Sequence, residues 1–143
     1  GEIGHIKPFG KGRTCSCGGR DCLEAWASGK GIACSAKRWW EGEPDTAQVF
    51  AQAELGHAWS KQIIEQAAEN ISTGLANLVT ILNPTCLILG GTVVAANPHF
   101  FKHIRQRIIK LAIKSSVSVT PLMIVPSELE PEAGIWGIYS LML

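Results

Sequence analysis

His5, Cys15, Cys17 and Cys22 put one imidazole and three thiols into a short, glycine-rich stretch at the start of the chain. That is the donor set of a four-coordinate structural zinc site, in which soft thiolates and a borderline imidazole take the corners of a tetrahedron. Four protein donors leave no open position for a catalytic water, so the expected ion shapes the loop and performs no chemistry. Chance clustering or redox use of the cysteines is the competing reading. Gly10, Gly12, Gly18 and Gly19 are expected to supply the looping that brings the donors round. Glu2 precedes His5 and Glu24 follows Cys22, so a carboxylate is tethered to each end of the loop, and a metal that fixes the loop also fixes the carboxylates. Ionised carboxylates only accept hydrogen bonds, which suits a hydroxyl-rich ligand. Taken singly, each is an ordinary surface glutamate.

The elements that must position these residues follow from periodicity and punctuation. From Cys22 to Trp40 the chain passes into a helical pattern, with the small residues Ala25, Ala27, Ser28 and Gly29 at its entrance. Gly42-Glu43-Pro44-Asp45 reads as a turn, and Asp45 caps a short helix through Glu54, which Gly56 ends. Ala58 to Leu82 carries apolar residues every three to four positions and predicts one long, largely buried helix stopped before Pro84. Cys86 to Leu89 is a continuous apolar run, expected to be a strand covered on both faces, and Gly90-Gly91 ends it. Pro98 opens an amphipathic helix to about Lys114, with Phe101, Ile104, Ile108, Ile109 and Leu111 expected inward. Leu122 to Val125 reads as a second strand and Ala133 to Leu143 as a terminal helix. Alternating strands and helices make this an α/β domain, and no repeat or linker divides its 143 residues.

Composition narrows the function classes. A hydrophobic content of 46% favours a packed globule over disorder. The net charge of +1 gives no electrostatic reason to expect nucleic acid or an anionic membrane, and no apolar run is long enough to span a bilayer. Of the 5 cysteines three crowd the His-containing loop, which suits thiolates on a metal in a reducing cytoplasm better than a disulfide framework. Cys34 and Cys86 are expected to be small buried hydrophobes. His57, His99 and His103 have no metal-like partners and are read as solvent-facing or capping groups. Among the tryptophans, Trp39-Trp40 is the candidate for a subunit contact, so a homo-oligomer is expected. Lys102, Arg105, Arg107, Lys110 and Lys114 are read as one solvated helix face.

Gly1-Glu2-Ile3-Gly4-His5, followed by Cys-x-Cys-Gly-x-x-x-Cys-Leu-Glu, resembles the signature of the ROK family of bacterial sugar kinases and sugar-responsive repressors. Asn83-Pro84, Gly90-Gly91 and Ala133-Gly134-Ile135-Trp136-Gly137 extend the resemblance to the end of the chain. Asp21 stands where the family usually has Gly, and Asp is among the few residues that tolerate a left-handed backbone. The resemblance implies the C-terminal lobe of a ribonuclease-H-like, actin-type (ASKHA) sugar kinase fold, with residues 1–24 as a zinc and sugar-binding loop. It implies that Glu2, His5 and Glu24 contact a hexose or N-acetylhexosamine, and that Gly90 and Gly91 line the adenosine side of an ATP site. A Gly-Gly pair alone reads more simply as a turn. Mg2+, the Asp-x-Gly phosphate loop and the catalytic aspartate are expected from an absent N-terminal lobe. The chain opens inside a motif, and its only aspartates, Asp21 and Asp45, lack the family's catalytic context. No catalytic residue is therefore assigned, and the chain alone is expected to be inactive. The segment from Glu24 to Ala33 resembles N-acetylmannosamine kinases somewhat more than glucokinases. The alternative is the effector-binding and oligomerising portion of a repressor, and only in that case is nucleic acid an expected partner.

Overall fold

The computed structural model describes residues 2–7, 12–118, 121–129 and 132–142. Helices α1 (Leu23–Ala27), α2 (Gly29–Ala36), α3 (Thr46–Glu54) and α4 (Ala58–Leu82) come first. They are followed by β1 (Cys86–Leu89), α5 (Thr92–Ala96), α6 (Pro98–Leu111), α7 (Lys114–Ser118), β2 (Met123–Pro126) and α8 (Ala133–Ser140).

Helix α4 has the expected bounds and organises the rest. It stops at Asn83, which takes the left-handed conformation (φ 45°) just ahead of Pro84. Its small residues Ala67, Ala68 and Ala76 let α6 come close, and Leu75 and Val79 fill the seam with Phe100, Ile104 and Ile108. The buried Ser72 hydroxyl is satisfied inside the helix, donating to Ala68 O at 2.6 Å. Ile32 of α2, Val49 of α3 and Ile124 of β2 complete this core, with Phe50 edge-on to Phe100 at 5.4 Å between centroids. Burying side chains of this size is worth roughly 1.5–3 kcal/mol each, so these few residues carry much of the stability. Asp45 caps α3 as expected, in a reciprocal capping box with Gln48.

The strands pair in parallel, with Cys86 opposite Met123 and Leu89 opposite Pro126, and α5 to α7 make the crossover. The expectation that β1 is covered on both faces is corrected. Leu87 and Leu89 pack on the core, but Ile88 is 65% exposed and Met123 of β2 59% exposed, because the packed helices cover one side of this sheet.

Other corrections are local. The helical run from Cys22 to Trp40 is broken at Ser28, whose ψ of 167° ends α1 and whose hydroxyl caps α2 by accepting from Gly31 N. Helix α6 ends at Leu111 because Ala112 is extended, so Lys114 begins a separate helix. Its buried face is the i, i+4 series Phe100, Ile104, Ile108; Ile109 is one residue off that series and exposed, and Leu111, the last helical residue, is exposed too. Strand β2 is displaced one residue from its expected span. Cys34 is exposed and Cys86 half-buried, against the expectation of burial. Helix α8 begins at Ala133 as expected but ends at Ser140, short of the expected Leu143, which lies outside the described residues; from Gly134 to Ser140 it is exposed, including Ile135, Trp136, Ile138 and Tyr139. No described helix is long and apolar enough to cross a membrane.

Candidate functional site

The residues before α1 form a tight hairpin. Thr14 and Arg20 make an antiparallel bridge, Cys15 N donates to Gly19 O at 2.8 Å, and Gly18 N donates back to Cys15 O at 3.0 Å. Gly12 and Gly18 take left-handed φ angles, as the expected looping requires; Gly10 falls outside the described residues. Asp21 has φ 60°, the conformation expected of it, and its Oδ1 accepts from Arg13 N at 2.9 Å. The Arg13 guanidinium then donates to Ala25 O (2.9 Å) and Gly31 O (3.0 Å) and lies 3.8 Å over the Trp26 ring. The loop is thereby locked to the break between α1 and α2. That break needs Gly31, where a Cβ would come within 2.7 Å of Ala25 O.

This hairpin, together with the 3₁₀ turn Ile3–His5, brings the four expected ligands together. The donor atoms of His5, Cys15, Cys17 and Cys22 all lie within 4.8 Å of one another. Cys17 and Cys22 Sγ are 3.7 Å apart, and Cys15 Sγ is 3.8 Å from His5 Nδ1. Zinc–sulfur bonds of about 2.3 Å at tetrahedral corners put neighbouring sulfurs about 3.8 Å apart, so the donors fit such an ion. The Cys15 thiol is lowered from 9.0 to about 7, chiefly because the backbone N–H of Cys17 stabilises its thiolate, with burial opposing. Burial pushes Cys22 up to about 11, helped by the neighbouring Cys17 and Cys15, since crowded thiols resist a further negative charge. A divalent cation among them would remove that resistance.

Both glutamates couple to the cluster. Glu2 Oε2 lies 3.3 Å from His5 Nε2, on the side of the ring away from the thiols. Glu24, in the first turn of α1, accepts from Ser16 Oγ at 2.9 Å. Ser16 was not singled out by sequence reasoning, although its place between two ligand cysteines is a signal that could have found it.

An open cleft of about 610 Å³ runs beside the loop, and its wall includes Gly4 and Glu24 on one side and Gly90 and Gly91 on the other. Leu23, Ile71, Leu75, Leu87 and Leu89 supply an apolar floor. Glu24 and the glycine pair, widely separated in sequence, thus share one cleft. Glu2 and His5 are not among its lining residues, nor is any residue of α8, including Gly134 and Gly137. Gly91 has φ 111°, and its carbonyl accepts from Val94 N and Ala95 N as α5 begins. Asp21 and Asp45 are engaged in the hairpin and the α3 cap, away from the cleft wall.

The remaining candidates do not line this cleft. Trp39 stacks on Trp59 at 5.6 Å under the Arg38 guanidinium and stays 39% exposed, and Trp40 meets the Trp59 ring edge-on. His57 and His99 are exposed, His57 at the α4 N-cap position without a side-chain capping bond. His103 meets Glu65 at 3.2 Å, and Arg107 pairs with Glu65 (2.8 Å) and Glu69 (3.5 Å), tying α6 to α4. The expected basic face is therefore partly neutralised at Arg107.

The ROK family profile matches residues 1–143. The chain belongs to the ROK family. The glucokinase of Thermotoga maritima is 27% identical over 155 residues, covering 99% of this chain and 48% of the relative. The N-acetylmannosamine kinase of Salmonella typhi is 33% identical over 93 residues, covering 65% of this chain and 32% of its own. Among solved structures, the ROK hexokinase of Thermus thermophilus superposes with a TM-score of 0.82 at 29% identity, over 96% of this chain and 45% of the hexokinase. A ROK family transcriptional regulator, a homologue of the E. coli MLC protein, superposes at 0.68 and 24% identity, over 88% and 34% of the two chains. The ROK member described here spans about half the length of the glucokinase it matches. Its mixed α/β fold resembles that of ROK sugar kinases.

Proposed function

We propose that this ROK chain is the C-terminal, sugar-holding lobe, of actin-type (ASKHA) fold, of a cytoplasmic, ATP-dependent hexose or N-acetylhexosamine kinase. The observation that carries the reading is the single cleft joining Glu24 to Gly90 and Gly91, with Glu24 hydrogen-bonded to the loop that gathers His5, Cys15, Cys17 and Cys22. In this reading those four residues hold a structural zinc ion, which supplies loop order only. Glu24 accepts hydrogen bonds from sugar hydroxyls; the resemblance gives Glu2 the same task, but here it lies off the cleft wall and orients His5. The resemblance also gives His5 a sugar contact, but both its nitrogens are occupied here, Nδ1 towards the thiols and Nε2 towards Glu2, which makes orientation of the loop its main contribution. Gly90 and Gly91 let the adenosine end of ATP approach the backbone. The Mg2+ ligands and the base that deprotonates the sugar are assigned to a partner lobe, consistent with the engagement of Asp21 and Asp45 elsewhere. Phosphoryl transfer rests on alignment and charge neutralisation, and this lobe contributes alignment.

Two measurements test the reading on the full-length natural protein. Elemental analysis should find about one zinc per chain, bound through sulfur and nitrogen. Calorimetric titration with glucose and with N-acetylmannosamine should show that Glu24→Gln weakens binding roughly ten- to hundredfold with zinc retained, the range expected for a lost hydrogen bond to a charged acceptor. Unchanged affinity in both titrations removes Glu24 from the site. Sugar binding without phosphorylation by the same protein would move the assignment from kinase to repressor.

A further inference from the structure

Ser16 sits between two of the four clustered donors; its hydroxyl lies 3.8 Å from Cys15 Sγ on one side and donates to Glu24 Oε1 at 2.9 Å on the other. Its backbone is held on both sides. The turn from Cys15 to Gly19 is closed by Cys15 N to Gly19 O and Gly18 N to Cys15 O, which leaves residue 16 little freedom. Glu24 is held at its other end, because α1 is anchored by Leu23 N donating to Ile6 O at 2.9 Å. A glutamate has three rotatable side-chain bonds, so a fixed Cα alone does not fix the carboxylate; a hydrogen bond at the far end does. With Oε1 taken by Ser16, Oε2 lies beside Gly4, close enough that a Cβ there would be 3.5 Å from it, and Gly4 itself lines the cleft.

We infer that Ser16 is a positioning residue for the ligand in the cleft: its hydroxyl, placed by the donor loop, sets the Glu24 carboxylate so that Oε2 faces the incoming sugar hydroxyl. Loop order and ligand recognition are then joined through one hydroxyl. This rests on the reading of Glu24 as a sugar contact, and the experiment separates the two. In the full-length natural protein, Ser16→Ala should weaken glucose or N-acetylmannosamine binding roughly three- to tenfold, the range for one neutral donor's hydrogen bond, with about one zinc per chain retained. Any phosphorylation measured in the same variant should show the change in KM more than in kcat, since the carboxylate is misplaced before chemistry begins. Ser16→Thr keeps the hydroxyl at an exposed position and should restore affinity. In a Glu24→Gln background, Ser16→Ala should add little, because Ser16 acts on the ligand only through the carboxylate that the first change has already removed. Full additivity, unchanged affinity in Ser16→Ala, or loss of zinc that Ser16→Thr does not repair would each overturn the inference. If Glu24→Gln itself leaves affinity unchanged, the sugar reading of Glu24 fails and this inference fails with it; if Glu24→Gln weakens binding and Ser16→Ala does not, only the positioning role is lost.

Discussion

Between Arg13 and Cys22 the chain buries only Cys15 and Cys22, and it keeps its shape through backbone hydrogen bonds, the Asp21–Arg13 contact and four converging donors. The α4–α6 pair carries ion pairs from His103 and Arg107 to Glu65 and Glu69 at its edge, but its interior is the apolar cluster of Ala67, Ala68, Leu75, Val79, Phe100, Ile104 and Ile108. A hairpin that small cannot bury enough apolar surface to offset the entropy of ordering it, so it depends on a few directional contacts, any of which can be removed alone. The helical pair spreads its stabilisation over many weak contacts and loses it by degrees. The two regions should therefore fail independently.

The largest effects test that independence from both sides. Ile104→Ala removes a fully buried side chain and is expected to cost about 2–5 kcal/mol in denaturant unfolding while zinc stoichiometry stays unchanged. Cys15→Ser should do the reverse: zinc content falls well below one per chain and the hairpin becomes protease-sensitive, while far-ultraviolet dichroism from α4 and α6 is preserved. Parallel loss of both signals in either variant would show the regions to be one cooperative unit. A smaller effect is expected where they join. Gly31→Ala forces a Cβ against Ala25 O and should cost about 1–3 kcal/mol, loosening the Arg13 contacts without touching a donor. The smallest is Asp21→Gly, which relieves a left-handed aspartate but loses its bond to Arg13 N; the two nearly cancel, and a stability change within about 1 kcal/mol is expected.

How far each region could be read from sequence follows the same division. The bounds of α4, the Asp45 cap and the run of β1 were legible because apolar period, cap chemistry and proline are local signals. The donor set was legible because four metal-ligating side chains in one short stretch are rare by chance. Ser28 was not recognised as a break, since interrupting α1 depends on Gly31 meeting Ala25 in space, and small residues near a helix entrance are otherwise unremarkable. The exposure of Ile88, Ile109 and Leu111 was also hidden, because an apolar residue reads as buried unless one knows which faces other elements cover. Within the cleft, Glu24 and Gly90-Gly91 were each found from motif resemblance, but that both line one cleft is a product of the tertiary fold. Ser16 escaped because hydroxyls are common and only geometry distinguishes this one.

The uncovered side of the β1–β2 sheet has a practical consequence. Ile88 and Met123 on the strands, and Ile135, Ile138 and Tyr139 on α8, present apolar surface to water. Such surfaces are where protein molecules adhere to one another. Handling of the purified 143-residue chain should accordingly be governed by concentration: light scattering should rise steeply on concentrating it, and mutating Ile88 to lysine should delay the onset while leaving the donor loop as it is.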